Sequence, residues 1–187
     1  MNKGDNKASG GMTTAKMAMT ALMAAVICIL GPLSIPIGEV PISFTNLAIY
    51  FAVTILGWKL GTISYILYLL IGLVGVPVFS GFTGGIGKLA GPTGGYLIGF
   101  IFMAVISGIF IEKFRGKWYM AVLGMVLGLA VTYLFGTAWL CYQANLGFMA
   151  GLMTGVIPFL LGDAVKIAVT VLIAPIIYTR LQRAGLL

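Results

Sequence analysis

The sequence predicts an all-α integral membrane protein, and three observations carry that prediction. Hydrophobic residues make up 60% of the chain and charged residues 8%, too few polar groups to cover a water-exposed globule of 187 residues. Six apolar runs reach or approach the length that crosses a hydrocarbon core, ~30 Å thick, as a helix. The lysines and arginines collect in the connections on one side of those runs, as cytoplasmic connections do. The 27 glycines agree with this class, because glycine is commoner in membrane helices than in soluble ones.

The first run, Thr13 to Gly31, follows a tail of residues 1–12. Lys3, Lys7 and Lys16 ahead of it imitate a signal peptide, but Ile29, Leu30 and Gly31 before Pro32 lack the small-x-small cleavage pattern, so a retained helix is expected. The second and third runs, Phe44 to Gly57 and Leu60 to Val76, flank Gly57-Trp58-Lys59-Leu60-Gly61. That stretch reads as a tight interfacial turn, since one fused helix would bury Lys59 at its centre. The fourth, fifth and sixth runs are Thr93 to Ile111, Trp118 to Gln143 and Pro158 to Arg180. Residues 13–187 are therefore expected to form a single six-helix domain.

With both termini cytoplasmic, the inner connections hold Lys3, Lys7, Lys16, Lys59, Lys113, Arg115, Lys117, Arg180 and Arg183, together with Asp5 and Glu112. Lys88, Lys166, Glu39 and Asp163 fall on the outer side and need another explanation. The outer segments are also unusual in composition: 31–41 contains Pro32, Pro36, Gly38 and Pro41, the stretch from Pro77 to Pro92 is rich in glycine, and a third segment spans 144–157. Glycine lets a backbone turn tightly and approach a ligand, so these segments are expected to cap the bundle. Trp58, Trp118 and Trp139 lie near helix ends, where interfacial anchors sit.

Composition also excludes functions. The chain has no histidine, which removes His-based general catalysis, His metal ligation and a His pH switch; no metal and no catalytic residue is assigned. The net charge of +7 is accounted for by membrane orientation and implies no nucleic acid. Cys28 and Cys141 lie inside apolar runs without CxxC spacing and are expected to be free thiols. No internal repeat marks an inverted-repeat transporter. Lys88 follows Gly87, but Phe82 and Leu89 occupy the positions where a phosphate-binding P-loop needs Gly and a hydroxyl residue.

Asp163 and Lys166 stand three residues apart near the start of the sixth helix, so their side chains leave one helical face. Ionisable groups at this depth cost ~2.5–3.5 kcal/mol each unless partnered. Two readings remain open: a self-satisfied ion pair that locks the helix, or a site that reads a polar ligand. Small residues recur at four-residue spacing as Ala21 and Ala25, Gly95 and Gly99, and Gly124 and Gly128, each permitting close helix approach within the bundle or with a partner.

The stretch Gly91-Pro92-Thr93-Gly94-Gly95-Tyr96-Leu97-Ile98-Gly99-Phe100 resembles the signature of the BioY family, whose members are biotin-specific S components of energy-coupling factor transporters. Pro36-Ile37-Gly38-Glu39-Val40-Pro41-Ile42, Gly75-Val76-Pro77-Val78-Phe79 and the segment from Pro158 to Lys166 extend the resemblance in family order across all but the N-terminal dozen residues. The resemblance implies a six-helix subunit in a prokaryotic plasma membrane that captures biotin and works with a coupling transmembrane (T) subunit and two ATPase subunits, with membrane lipid as its solvent.

Carried onto this chain, the Gly-Asp-x-x-Lys pattern implies that Asp163 accepts from the ureido group and that Lys166 donates to a biotin oxygen. Thr83 stands where relatives place a polar contact, and Tyr96 and Tyr142 are candidates for the apolar wall. Leu97 replaces a basic residue found in some relatives, which leaves Lys88 as the candidate for the ligand carboxylate. Thr45 stands where a glutamine is common, and no contact is assigned to it. Ala21 and Ala25 resemble the Ala-x-x-x-Ala pattern through which S components dock on the coupling subunit. The alternatives are an S component for thiamine or riboflavin, a self-sufficient porter, and an intramembrane enzyme.

Overall fold

The computed structural model describes residues 13–36 and 40–187, so Lys3, Asp5, Lys7 and Glu39 lie outside the described residues. In chain order the elements are α1 (Thr14–Leu30), β1 (Ser34–Ile35), β2 (Ile42–Ser43), α2 (Thr45–Leu73), α3 (Ile86–Ala90), α4 (Gly94–Lys113), α5 (Trp118–Ala144), α6 (Phe148–Gly155) and α7 (Ile157–Arg183). Four of them, α2, α4, α5 and α7, are long and apolar enough to cross a membrane by length and composition, and α1 is a shorter apolar helix.

Local chemistry sets the ends. Thr13 caps α1 by accepting from the Lys16 amide at 3.4 Å. Asn145 ends α5 in the left-handed conformation at φ 51°. Pro158 sits in the first turn of α7, where its missing N–H costs nothing. Two of the outer segments contain short helices, α3 and α6, and the third contributes to the two-residue antiparallel pair β1–β2, with Ser34 opposite Ser43 and Ile35 opposite Ile42.

Helix α2 is broken at Gly57, whose φ of 81° and ψ of 172° belong to a backbone region essentially reserved for glycine. The chain reverses there. A Cβ on Gly61 would lie 2.7 Å from the Val53 Cα, a proximity impossible for residues eight apart on a straight helix. Glu112 at the end of α4 receives the Trp58 amide at 3.3 Å and so satisfies the first N–H after the break. The turn expected between the second and third runs is therefore present, tightened to one residue.

Glycine also sets the closest contact in the bundle, between α4 and α5. A Cβ on Gly99 would meet the Thr132 backbone at 2.9 Å, and one on Gly128 would meet the Met103 carbonyl at 3.0 Å. Gly95 is pressed against Trp139, Gly124 against Phe110 and Gly136 against the Tyr96 ring. Two of the three small-residue pairs therefore pack inside this chain. Ala21 and Ala25 instead lie exposed on α1 beside Leu22 and Ile29.

The core is aromatic and aliphatic, centred on Ile27, Ile49, Tyr50, Val53, Tyr65, Tyr68, Phe79 and Met103. Its hydroxyls cross between helices: Tyr65 donates to the Leu97 carbonyl at 2.7 Å, Tyr50 to Met125 at 3.2 Å and Ser64 to Thr20 at 2.9 Å. Outside the core, Leu134, Leu161, Leu172 and Ile176 stand largely exposed along α5 and α7. A monomer in water does not leave such a surface uncovered, whereas lipid covers it without cost. Both cysteines are free.

Gly57→Ala is expected to destabilise the protein by ~1–3 kcal/mol, because the new Cβ enters a Gly-only conformation and would lie 2.8 Å from the Glu112 carboxylate. Thermal unfolding in detergent measures it. An unchanged melting temperature would mean that the reversal tolerates ordinary backbone geometry.

Candidate functional site

At the end of the bundle that carries α3 and α6, six parts of the chain converge on one cavity. Val40, Pro41 and Ser43 come from the segment before α2, Thr45 and Asn46 from the first turn of α2, and Tyr68 from its second half. Ser80 and Lys88 come from the glycine-rich segment. Tyr96, Leu97 and Phe100 of α4, Thr132 and Tyr133 of α5, and Phe159, Asp163 and Lys166 of α7 complete the wall.

The glycine-rich segment is held over this cavity by specific bonds. The amide of Gly81 donates to the Pro32 carbonyl at 3.0 Å and that of Gly85 to the Gly72 carbonyl at 2.7 Å. Phe79 and Thr83 exchange backbone bonds around a turn in which Gly81 and Phe82 both have positive φ. From α5, the Trp139 indole donates to the Gly91 carbonyl at 2.9 Å, and the Gln143 amide donates to the Ala90 carbonyl. These two anchors place α3, and with it Lys88, at the cavity rim. Partial burial there pulls the Lys88 ammonium pKa below its ordinary 10.5.

The polar chemistry is concentrated on one wall. Asp163 and Lys166 are 4% and 8% exposed and lie 2.9 Å apart, Nζ to Oδ1. The same Oδ1 accepts from Asn46 Nδ2 at 2.8 Å, and Oδ2 accepts from the Tyr133 hydroxyl at 2.5 Å. Lys166 also donates to the Ser43 carbonyl at 2.8 Å and to Asn46 Oδ1 at 2.9 Å. Its three donors are thereby all engaged. The pair is thus part of a satisfied cluster, and that cluster forms a wall of the cavity. Asp163 keeps one of roughly four lone-pair sites, and Asn46 one of its two amide hydrogens. The buried hydroxyl of Tyr68, which also lines the cavity, has no hydrogen-bond partner within 3.5 Å among the described residues. Such a site offers one acceptor and several donors to a small polar group whose remainder is held by Leu97, Phe100 and Phe159.

Of the residues singled out from the sequence, Asp163, Lys166, Lys88 and Tyr96 meet at this cavity. Tyr96 presents its ring there while its hydroxyl donates to the Gly155 carbonyl at 2.9 Å. Tyr142 is 76% exposed beside Trp139 and does not line the cavity, because nine residues along α5 turn it about half a revolution from Tyr133, which does. Thr83 is exposed and its hydroxyl donates to the Ser80 carbonyl at 3.0 Å, so it too lies off the cavity wall. Sequence reasoning missed Asn46, Tyr68 and Tyr133, and left Thr45 without a contact although it lines the cavity. Asn46 carried a readable signal, being an amide inside an apolar run. The two tyrosines carried none among eight in the chain.

Comparison with known proteins adds a second line of observation. A model of the BioY family matches residues 3–183. The probable biotin transporter BioY of Pyrococcus horikoshii is 37% identical over 163 residues, covering 87% of this chain and 96% of that protein. The biotin transporter BioY of Thermotoga maritima is 35% identical over 160 residues, 85% of this chain and 93% of that one. Among solved structures, the crystal structure of the S-component for biotin from an ECF-type ABC transporter superposes with a TM-score of 0.81 at 34% identity, covering 92% of this chain and 95% of that chain.

The buried cluster predicts non-additive mutations. Lys166→Met leaves the Asp163 carboxylate without its cation and is expected to cost ~3–5 kcal/mol of stability, whereas Asp163→Asn combined with Lys166→Met is expected to cost much less. Ligand-free thermal unfolding of the single and double variants decides this; additive losses would mean that the two side chains act independently.

Proposed function

The chain belongs to the BioY family, and from that membership and the chemistry of the cavity we propose that it captures biotin as the S component of an energy-coupling factor transporter. It is a transport subunit, not an enzyme. The end carrying α3 and α6 faces outward, and both termini are cytoplasmic. The six crossings are α1, the two halves of α2 on either side of Gly57, α4, α5 and α7. The gathering of Lys59, Lys113, Arg115, Lys117, Arg180 and Arg183 at the opposite end supports this orientation in a prokaryotic plasma membrane. A coupling T subunit and two ATPases supply the energy.

The observation that carries the reading is a cavity in which the buried Asp163, Lys166, Asn46 and Tyr133 cluster stands together with the apolar side chains of Leu97, Phe100 and Phe159. Biotin has ureido N–H donors, a ureido carbonyl, an apolar bicycle and a carboxylate. Asp163 accepts from a ureido N–H through its remaining lone pair, while Asn46 and Tyr68 donate to the carbonyl oxygen. Lys166 acts chiefly by holding Asp163 and Asn46 in place, since its donors are engaged. Leu97, Phe100, Phe159 and Tyr96 enclose the bicycle, and Lys88 at the rim meets the carboxylate. Tyr142 and Thr83 take no part.

Calorimetric titration of biotin tests this assignment. Tyr68→Phe removes a hydroxyl that has no hydrogen-bond partner within 3.5 Å among the described residues, so it is expected to weaken biotin about tenfold with little change in the melting temperature. The Asp163→Asn, Lys166→Met double variant is expected to weaken it ten- to a hundredfold. Lys88→Met should weaken biotin more than its uncharged amide. Wild-type affinity in the Tyr68 and double variants would leave the cluster as a purely structural lock.

Docking on the T subunit is proposed for the exposed α1 face around Ala21 and Ala25, where small side chains permit close helix approach. Ala21→Trp and Ala25→Trp are expected to keep biotin binding and to lose both co-purification with the partner subunits and ATP-driven uptake. Normal uptake by both variants would place the docking surface elsewhere.

A further inference from the structure

The basic end of the molecule holds a second cavity that plays no part in biotin capture. About 250 Å³ in volume, it lies between the α4–α5 turn and α7, with Arg115, Lys117 and Trp118 on one side and Pro175 and Tyr178 on the other. It shares Trp118 and Val171 with an apolar groove of about 530 Å³ that runs up between α5 and α7. Both open onto the surface of the bundle, and an apolar groove rimmed by polar residues is the form a lipid or protein contact takes.

Three features define the occupant. First, the cavity mouth is cationic. Arg115 is set in position by its hydrogen bond to the Tyr178 hydroxyl and by stacking over that ring at 4.4 Å, which leaves other guanidinium N–H groups directed outward. Lys117 stands beside it, and among the described residues no carboxylate side chain lines the cavity; Glu112 accepts from the Trp58 amide. Second, Pro175 has no N–H to offer the Val171 carbonyl one turn earlier, so the cavity wall contains a backbone acceptor without its helical donor. Third, the adjoining groove is lined by Val122 and Val126 on α5 and by Ala164, Ala168 and Leu172 on α7. The positions from Leu160 to Leu172 extend the groove over ~18 Å of helix.

We propose that this cavity and groove hold one anionic phospholipid of the inner leaflet, with its phosphate on Arg115 and Lys117 and one acyl chain lying between α5 and α7. A headgroup hydroxyl, such as that of a glycerol, meets the Val171 carbonyl. The small side chains of Ala164 and Ala168 open the groove to the chain. Each cation near an anionic surface contributes a near-additive attraction, and Trp118 sits at the depth where interfacial aromatics anchor. The lipid fills the gap between α5 and α7, which are hydrogen-bonded through Tyr133 and Asp163 at the far end. The inference rests on the membrane orientation proposed above, and the biotin reading stands or falls independently.

Native mass spectrometry of the detergent-purified chain, titrated with phosphatidylglycerol or phosphatidylcholine, tests it, with biotin affinity measured in parallel. One phosphatidylglycerol is expected to be retained per chain in preference to phosphatidylcholine. Arg115→Gln and Lys117→Gln are each expected to weaken that retention about fivefold, while the charge-preserving pair Arg115→Lys and Lys117→Arg keeps most of it. Ala168→Phe fills the groove and is expected to lower phosphatidylglycerol retention with both cations intact. Biotin affinity stays unchanged in all of these. Equal retention of the two lipids, or indifference of phosphatidylglycerol to the removal of both charges, would overturn the proposal. So would a groove that retains no lipid but whose Ala168→Phe variant fails to assemble with the partner subunits, since that result assigns it to a protein helix.

Discussion

A charge removed from water must be surrounded by partners before a fold can accept it, and the ammonium of Lys166 meets that requirement with three bonds to three parts of the chain. They reach the Ser43 carbonyl ahead of α2, Asn46 in its first turn and Asp163 on the same helix. Asp163 then carries the connection to α5 through Tyr133. Helix α7 is otherwise thinly packed, with most of its apolar side chains turned outward. Its attachment at this end therefore depends on a polar cluster whose members have no alternative partner in lipid. The same cluster forms a wall of the candidate cavity, so the packing of α7 and the shape of that cavity draw on the same few atoms.

Around that cluster the bundle divides into parts of different rigidity. Helices α4 and α5 approach until backbone meets backbone, because Gly95, Gly99, Gly124, Gly128 and Gly136 leave no side chain between them. This slab carries Tyr96, Leu97, Phe100 and Tyr133 and holds the apolar side of the site in place. The cover is formed by segments tied through a handful of hydrogen bonds, such as Gly81 to Pro32, Gly85 to Gly72 and the Trp139 indole to Gly91. A site built from one rigid wall and one lightly tied cover lets a ligand enter without unpacking the core.

The reversal at Gly57 was legible because two glycines, a tryptophan and a lysine interrupt an apolar run, and each has a physical reason to sit at a membrane boundary. The Asp163–Lys166 pair was legible because ionisable groups in such a run are costly enough to demand a role. The three small-residue pairs were indistinguishable by spacing, yet two pack within the bundle and the third lies on its surface. Tyr133 and Tyr142 show the same limit. They lie nine residues apart on one helix, and only one faces the cavity. Helices that are apolar on every side carry no periodic pattern from which to read an inward face. The pair β1–β2, two residues per strand, was too short to register as alternation at all.

What the sequence determined by itself was the solvent, the approximate number of apolar segments, the side on which the basic residues gather and the ionisable pair that had to be partnered. Each follows from transfer free energy, which depends on residue type and not on neighbours. Only the tertiary structure decided that Asn46, Tyr68 and Tyr133 share the cavity with that pair, that Tyr142 and Thr83 do not, and that Ala21 and Ala25 remain uncovered. Those outcomes depend on which face of each helix turns inward. In lipid that choice is made by close contact and by hydrogen bonds between residues far apart in the chain, quantities that exist only once the helices have met.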